Sequence, residues 1–132
     1  MDIREKALNL HGEGFNCAQS VLCSCGEYTG IDDKTALALG GGLGGGVRCG
    51  ELCGALVGAV LAIGAAKPFN DPDDMQARVK VTALSKECTR IFKDRFGCLR
   101  CLDLKAGAHP CSELIAVGAE LAEQLIISDR GE

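Results

Sequence analysis

The chain has 132 residues, 47% of them hydrophobic and 24% charged, a balance typical of one globular domain with its own core, so residues 1–132 are treated as a single domain. The formal net charge of −4, without a basic patch carrying interleaved aromatic residues, disfavours nucleic acid as a partner. The longest uncharged apolar run, residues 52–66, is shorter than the roughly 20 residues of a membrane-spanning helix, so no membrane insertion is predicted.

The amino-terminal half is predicted to be helical. Residues 2–12 form a short amphipathic pattern that predicts a first helix. Asn16 is placed to cap a second helix, with Cys17 in its first turn. Asp32 or Asp33 is placed to cap a third helix.

A glycine-rich run, GGGLGGG at residues 40–46, follows the third helix. It matches the G-x-G-x-x-G pattern of nucleotide-binding loops, but no strand precedes it and no acidic residue lies about 20 positions further on. We therefore predict no nucleotide cofactor and interpret the run as a tight passage between helices.

A central helix is predicted over about residues 51–66. From Gly50 onward a small residue recurs at every fourth position, which leaves one helix face without bulky side chains and favours close packing of a neighbouring helix. These positions are Gly50, Gly54, Gly58, Ala62 and Ala66. Cys49 and Cys53 stand four residues apart where this helix begins, so they are predicted to lie one above the other.

The carboxyl-terminal half adds two more predicted helices. Residues 70–74 carry the signals of a helix start, with an Asp cap and Pro72 at the first helical position, and the pattern continues to about Phe96. A final helix begins near Pro110 with Cys111 in its first turn. Because no stretch alternates long enough to predict a strand, the fold class is all-α: a compact bundle of five to six helices around the central helix.

Nine cysteines are the most unusual feature of the composition. The charged, amphipathic amino terminus does not resemble a signal peptide, so we expect a cytoplasmic protein with reduced thiols. Cysteine richness in that compartment indicates metal binding or redox chemistry. Cys23 and Cys88 instead fall in apolar helical patterns and are interpreted as buried hydrophobic residues.

Three thiols, those of Cys17, Cys53 and Cys111, are predicted in first turns of helices, where the helix dipole is expected to lower the thiol pKa. Cys101 lies in the short connection that precedes the last helix. If these helices converge, four thiolates would meet, which is the ligand set of an iron–sulfur cluster or of a structural zinc ion. Thiols of this kind also exchange disulfides.

Several motifs, taken in order, resemble the C_GCAxxG_C_C family of redox-active proteins. They are GFNCAQ at residues 14–19, the glycine-rich run, CGALVG at 53–58, FGCLRC at 96–101 and Cys111. The resemblance implies a redox role and four signature cysteines, which fall on Cys17, Cys53, Cys101 and Cys111. Family members are similar to a domain of some multihaem-type electron carriers for which iron–sulfur ligation has been considered.

The leading hypothesis is an electron-transfer protein whose Cys17, Cys53, Cys101 and Cys111 bind an iron–sulfur cluster and which serves a redox partner protein. Further candidate ligands are Cys49, Cys98 and His109. The chain contains no C-x-x-C-H sequence, so no c-type haem is expected.

Two alternatives remain open. The first is a metal-free dithiol oxidoreductase or thiol sensor that uses the pair Cys98 and Cys101 or the pair Cys49 and Cys53. The second is a structural module, with zinc or without metal, that forms a homodimer through its Gly/Ala stripe.

Overall fold

The computed structural model describes residues 1–131. Within them it contains eight α-helices, one π-type turn at Gly46–Gly50 and no β-strand, so the all-α prediction is confirmed. The helices are α1 (Ile3–Gly12), α2 (Cys17–Ser24), α3 (Gly26–Thr29), α4 (Asp33–Gly40), α5 (Gly54–Ala66), α6 (Met75–Phe96), α7 (Cys101–Ala106) and α8 (Cys111–Asp129).

The chain has more helices than the predicted five to six because it contains two additional short helices, α3 and α7. Cys25, with φ −89° and ψ 10°, leaves the helical conformation and separates α3 from α2. The six-residue helix α7 lies in the segment predicted to be a short connection before the last helix. Both helices are too short for a hydrophobic period to reveal them.

Helix α5 lies at the centre of the bundle and packs against α2, α6 and α8. Its small residues permit the close approach: a Cβ on Gly58 would lie 2.9 Å from the Ala18 carbonyl oxygen of α2. A Cβ on Gly118 of α8 would lie 2.9 Å from the Ala55 carbonyl oxygen. The predicted packing stripe is therefore confirmed within α5. Gly50, its first predicted member, lies outside the helix, which begins at Gly54.

Side-chain caps fix several helix starts. Asn16 forms a complete capping box with Gln19 at the start of α2, and Asp32 caps α4. The predicted start of α6 at Pro72 is wrong: Asp74 accepts a hydrogen bond from the Ala77 N–H (3.0 Å), and the helix begins one residue after Asp74. Within residues 1–131, no helix combines the length and the apolarity required to cross a membrane.

Candidate thiol site

Four cysteines from four different elements line one cavity of about 160 Å³. They are Cys17, Cys53, Cys101 and Cys111, the four signature cysteines. The remaining lining residues are His11, Asn16, Gly45, Lys105 and Leu114. We call this space the thiol cavity. The structure thus brings together the four residues that the sequence singled out, although they are spread over most of the chain.

Cys17 is the first residue of α2, and its sulfur lies directly against the backbone where α5 begins. A Cβ on Gly54 would overlap the Cys17 sulfur, so only glycine fits beside it. The glycine that follows Cys53 in the C-G-A motif therefore has a specific role. It lets one signature cysteine approach the helix start that carries another.

Cys53 and Cys101 are held by a short antiparallel pairing of two extended segments. The Cys53 N–H donates to the Leu99 carbonyl oxygen (2.9 Å), and the Cys101 N–H donates to the Glu51 carbonyl oxygen (2.6 Å). Between these bonds, Leu52 and Arg100 form an isolated β-bridge. This pairing brings the C-G-A motif beside the end of the FGCLRC motif.

All four signature cysteines stand at helix starts. Cys17, Cys101 and Cys111 are the first residues of α2, α7 and α8, and Cys53 is the N-cap of α5. Unpaired backbone N–H groups and the positive ends of helix dipoles therefore point toward one region. Such an arrangement favours negative charge in the thiol cavity.

A left-handed turn passes over one side of the thiol cavity. Gly45, Gly46, Val47 and Arg48 have φ values of 63°, 65°, 59° and 61°. Gly45 lines the thiol cavity, and a Cβ on Gly46 would lie 2.8 Å from the Cys101 Cβ. Glycine is required at Gly46 for both the backbone conformation and the close approach.

Cys49 belongs to this turn, so the expectation that Cys49 and Cys53 share one helix face is wrong. Cys49 has φ −135° and ψ 15°, and the three residues between it and Cys53 lie outside any α-helix. Its thiol is exposed and donates to the Gly46 carbonyl oxygen (3.4 Å). Cys49 does not line the thiol cavity.

The pKa values of the Cys17 and Cys53 thiols are raised, whereas the helix dipole was expected to lower them. Burial is the largest influence on Cys17 and raises its pKa, against the backbone N–H groups of Gly45 and Ala18. Burial likewise raises the pKa of Cys53 to about 11. Neighbouring cavity thiols add to both increases. The prediction of lowered pKa values is therefore wrong for Cys17 and Cys53, because it neglected the desolvation of a buried thiolate.

The other candidate ligands lie outside the thiol cavity lining. Cys98 is half-buried, and its thiol faces the Phe96 carbonyl oxygen at 3.9 Å. The His109 ring packs edge-on against the Phe96 ring, with centroids 5.4 Å apart. Of the C-x-x-C pair, only Cys101 lines the thiol cavity. The remaining three thiols, those of Cys23, Cys25 and Cys88, are buried in the core. The interpretation of Cys23 and Cys88 as buried hydrophobic residues is therefore confirmed.

The lining also contains His11, which is close in sequence to Cys17, and Lys105, which no sequence motif indicates. His11 lies in the last turn of α1, and its Nδ1 is 3.0 Å from the Phe15 carbonyl oxygen. Because a carbonyl oxygen only accepts hydrogen bonds, the proton of this bond is on the His11 Nδ1. Lys105 stands four residues after Cys101 in α7, so the two share a helix face. That spacing could have revealed Lys105 if α7 had been recognised as a helix.

Within residues 1–131, no three His, Cys, Asp or Glu side chains are arranged to hold a single metal ion. The four signature cysteines line one cavity. Four cysteine thiolates are also the ligand set of a structural zinc ion, with each sulfur at about 2.3 Å from the metal. The four-thiol donor set fits the chemistry of an iron–sulfur cluster, which is held by four cysteine thiolates around several metal atoms.

The comparison with known families agrees with this architecture. The family model described as "Putative redox-active protein (C_GCAxxG_C_C)" matches residues 15–125. The chain belongs to the C_GCAxxG_C_C family. The match covers all four signature cysteines, and the family description supports a redox role. No curated protein and no solved structure matches the chain.

Proposed function

We propose that this C_GCAxxG_C_C protein is an electron carrier whose Cys17, Cys53, Cys101 and Cys111 hold an iron–sulfur cluster. The supporting observation is that the four thiols line one small cavity although they come from four separate helix starts. Four cysteines are the ligand set of common iron–sulfur clusters, and the cluster would supply reversible uptake of an electron.

The chain contributes charge stabilisation and shielding to this function. Backbone N–H groups at the starts of α2 and α5 hydrogen-bond to the sulfurs of Cys17 and Cys53, which favours the negative charge of thiolates and of their complexes. Leu114 and the glycine backbone at Gly45 occupy other parts of the lining. Among the lining residues that the structure describes, none is an Asp or a Glu, so none of these side chains places a fixed negative charge beside the thiolates.

The raised pKa of Cys53 is compatible with this role. With a pKa of about 11, the Cys53 thiol is protonated at neutral pH when no metal is present. Ligation requires the thiolate, so binding of the cluster must release protons. The same raised pKa weakens the alternative of a fast metal-free dithiol reaction at Cys53, because thiol–disulfide exchange proceeds through the thiolate.

The test is iron and acid-labile sulfide analysis, with a visible spectrum, on protein purified without oxygen. The chain has no Trp and one Tyr, so little intrinsic absorption overlaps with that of a cluster. We expect stoichiometric iron and sulfide in the wild type. Single Cys→Ala variants at positions 17, 53, 101 and 111 should lose the cluster.

Matched controls are the off-cavity variants Cys49→Ala and Cys98→Ala, which should retain full iron. Equal iron in the four signature variants and in the controls would contradict the proposed ligands. Colourless protein with stoichiometric zinc would instead favour the structural alternative. Colourless protein that stays metal-free after reconstitution, with one reversible disulfide among the cavity thiols, would favour the dithiol alternative.

A further inference from the structure

The polar atoms of the thiol cavity, other than sulfur, are mostly occupied by internal hydrogen bonds. The Asn16 Oδ1 accepts from the Gln19 N–H (2.8 Å), and its Nδ2 donates to the carbonyl oxygens of Gly40 and Gly41 (3.2 and 3.3 Å). The His11 Nδ1 is engaged with the Phe15 carbonyl oxygen. Within residues 1–131 the Lys105 ammonium has no hydrogen-bond or ion-pair partner, so it remains the strongest free polar group of the lining.

Among the described residues that line the thiol cavity, Lys105 is also the only lysine or arginine, and no Asp or Glu accompanies it. It is exposed, as are Gly45 and Cys111, so these three residues form the solvent side of the thiol cavity. Two carboxylates near Cys101 are directed elsewhere. Asp103, two residues further along the chain, pairs with Arg100 at 3.8 Å. Glu51, whose carbonyl oxygen accepts from the Cys101 N–H, pairs with Arg100 at 3.4 Å.

We propose that Lys105 is the specificity-determining residue of the thiol cavity and selects small anionic reactants. A single unpaired ammonium at the solvent side of a carboxylate-free cavity raises the local concentration of anions. This inference rests on the proposed redox role of the four thiols. It does not depend on which centre they hold, because Lys105 acts on whatever approaches from solvent.

The test compares two aromatic disulfides on the reduced, metal-free full-length chain: dithionitrobenzoate, a dianion, and dithiodipyridine, which is neutral. In either reaction a cavity thiol loses its proton to buffer and its sulfur attacks one reagent sulfur. A protein–reagent disulfide forms, the reagent disulfide breaks, and an aryl thiolate leaves with the electron pair. A Cys49→Ser/Cys98→Ser background removes the accessible off-cavity thiols.

The measured quantity is the ratio of the two rate constants, dianion over neutral reagent. Taking the ratio cancels changes in thiolate fraction and in accessibility common to both reagents. For charges about 10 Å apart in water at low ionic strength, Lys105→Met should lower the ratio about three- to fivefold. Lys105→Arg should preserve it, and about 1 M salt should abolish the difference between Lys105→Met and the unsubstituted background.

Lys93→Met is the matched control, because Lys93 is an exposed lysine on α6 that does not line the thiol cavity. An unchanged ratio in Lys105→Met, or an equal decrease in Lys93→Met, would overturn the inference. Because the assay needs no metal, its result is separate from the iron and sulfide analysis. A wild type without iron but with a Lys105-dependent ratio would refute the cluster and leave the selectivity of Lys105 standing.

Discussion

The substitution Gly54→Ala is expected to disrupt the contact between two signature cysteines. The added Cβ would overlap the Cys17 sulfur and would lie 3.1 Å from the Leu43 carbonyl oxygen and 3.3 Å from the Ala18 nitrogen. Two of these three neighbours are backbone atoms, so relief requires movement of α2 away from α5 or rotation of the Cys17 side chain. Overpacking of this kind typically costs about 1–3 kcal/mol.

Gly64→Ala provides the matched control on the same helix. A Cβ on Gly64 meets no atom within 4 Å, so the variant gains helix propensity without a clash. We expect Gly64→Ala to raise the free energy of unfolding by roughly 0.5–1 kcal/mol. The two substitutions therefore make the same chemical change, but we expect them to change the free energy of unfolding in opposite directions.

The assay is urea denaturation of the reduced, metal-free protein, followed by iron uptake under reconstitution. Gly54→Ala should lower the free energy of unfolding and decrease iron uptake. Adding Cys17→Ala should recover part of the lost stability because it removes the overlapping sulfur, and a double-mutant cycle measures that coupling. Stability of Gly54→Ala equal to that of Gly64→Ala, with no coupling to Cys17→Ala, would refute the packing explanation.

Three further predictions concern the helix contacts around the thiol cavity and the core. Gly58→Ala should lower the free energy of unfolding by about 1–3 kcal/mol in urea denaturation, because the new Cβ would lie 2.9 Å from the Ala18 carbonyl oxygen. Burial raises the pKa of Cys88 from 9.0 to about 11. The free energy of unfolding that the protonated Cys88 thiol contributes is present below pH 9 and should decline as the pH rises from 9 to 11. Cys88→Ala should reduce this pH-dependent loss of stability. Lys67→Met should lower the free energy of unfolding by about 1 kcal/mol more than Lys80→Met does. The Lys67–Asp129 ion pair (2.9 Å) is mostly buried, whereas Lys80 is half-exposed and lies 3.5 Å from the same carboxylate. Similar melting temperatures of the two variants would contradict this prediction.

The sequence predicted the helical fold because its strongest signals are local. The Asn16 cap, the stripe of small residues in α5 and the start of α8 each depend on side chains within a turn or two. The same locality explains the errors. The position of Cys49 depends on a left-handed turn that includes Val47 and Arg48, two residue types for which positive φ is uncommon.

The sequence predicted which cysteines line the candidate site but not how deeply they are buried, how their pKa values shift or which other residues line the cavity. The order of the cysteine motifs singled out Cys17, Cys53, Cys101 and Cys111, and the structure places them around one cavity. The direction of the pKa shift at Cys17 depends on how deeply the surrounding helices bury its sulfur. Lys105 lies on a helix too short to be predicted from periodicity. These properties follow from tertiary packing, which no local pattern contains.

The convergence of helix starts has an energetic consequence in the metal-free protein. The positive ends of α2, α5 and α8 lie around a shared cavity. In the metal-free state burial raises the pKa of Cys17 and Cys53, so these two thiols supply no negative charge at neutral pH. Under the proposed function, a thiolate-bound cluster places negative charge among those N–H groups, where it interacts favourably with each helix. Binding should therefore stabilise the whole bundle, because the four ligands join α2, α5, α7 and α8. Since a ligand that binds only the native state raises its stability by mass action, the melting temperature should increase on reconstitution and should not increase in Cys53→Ala.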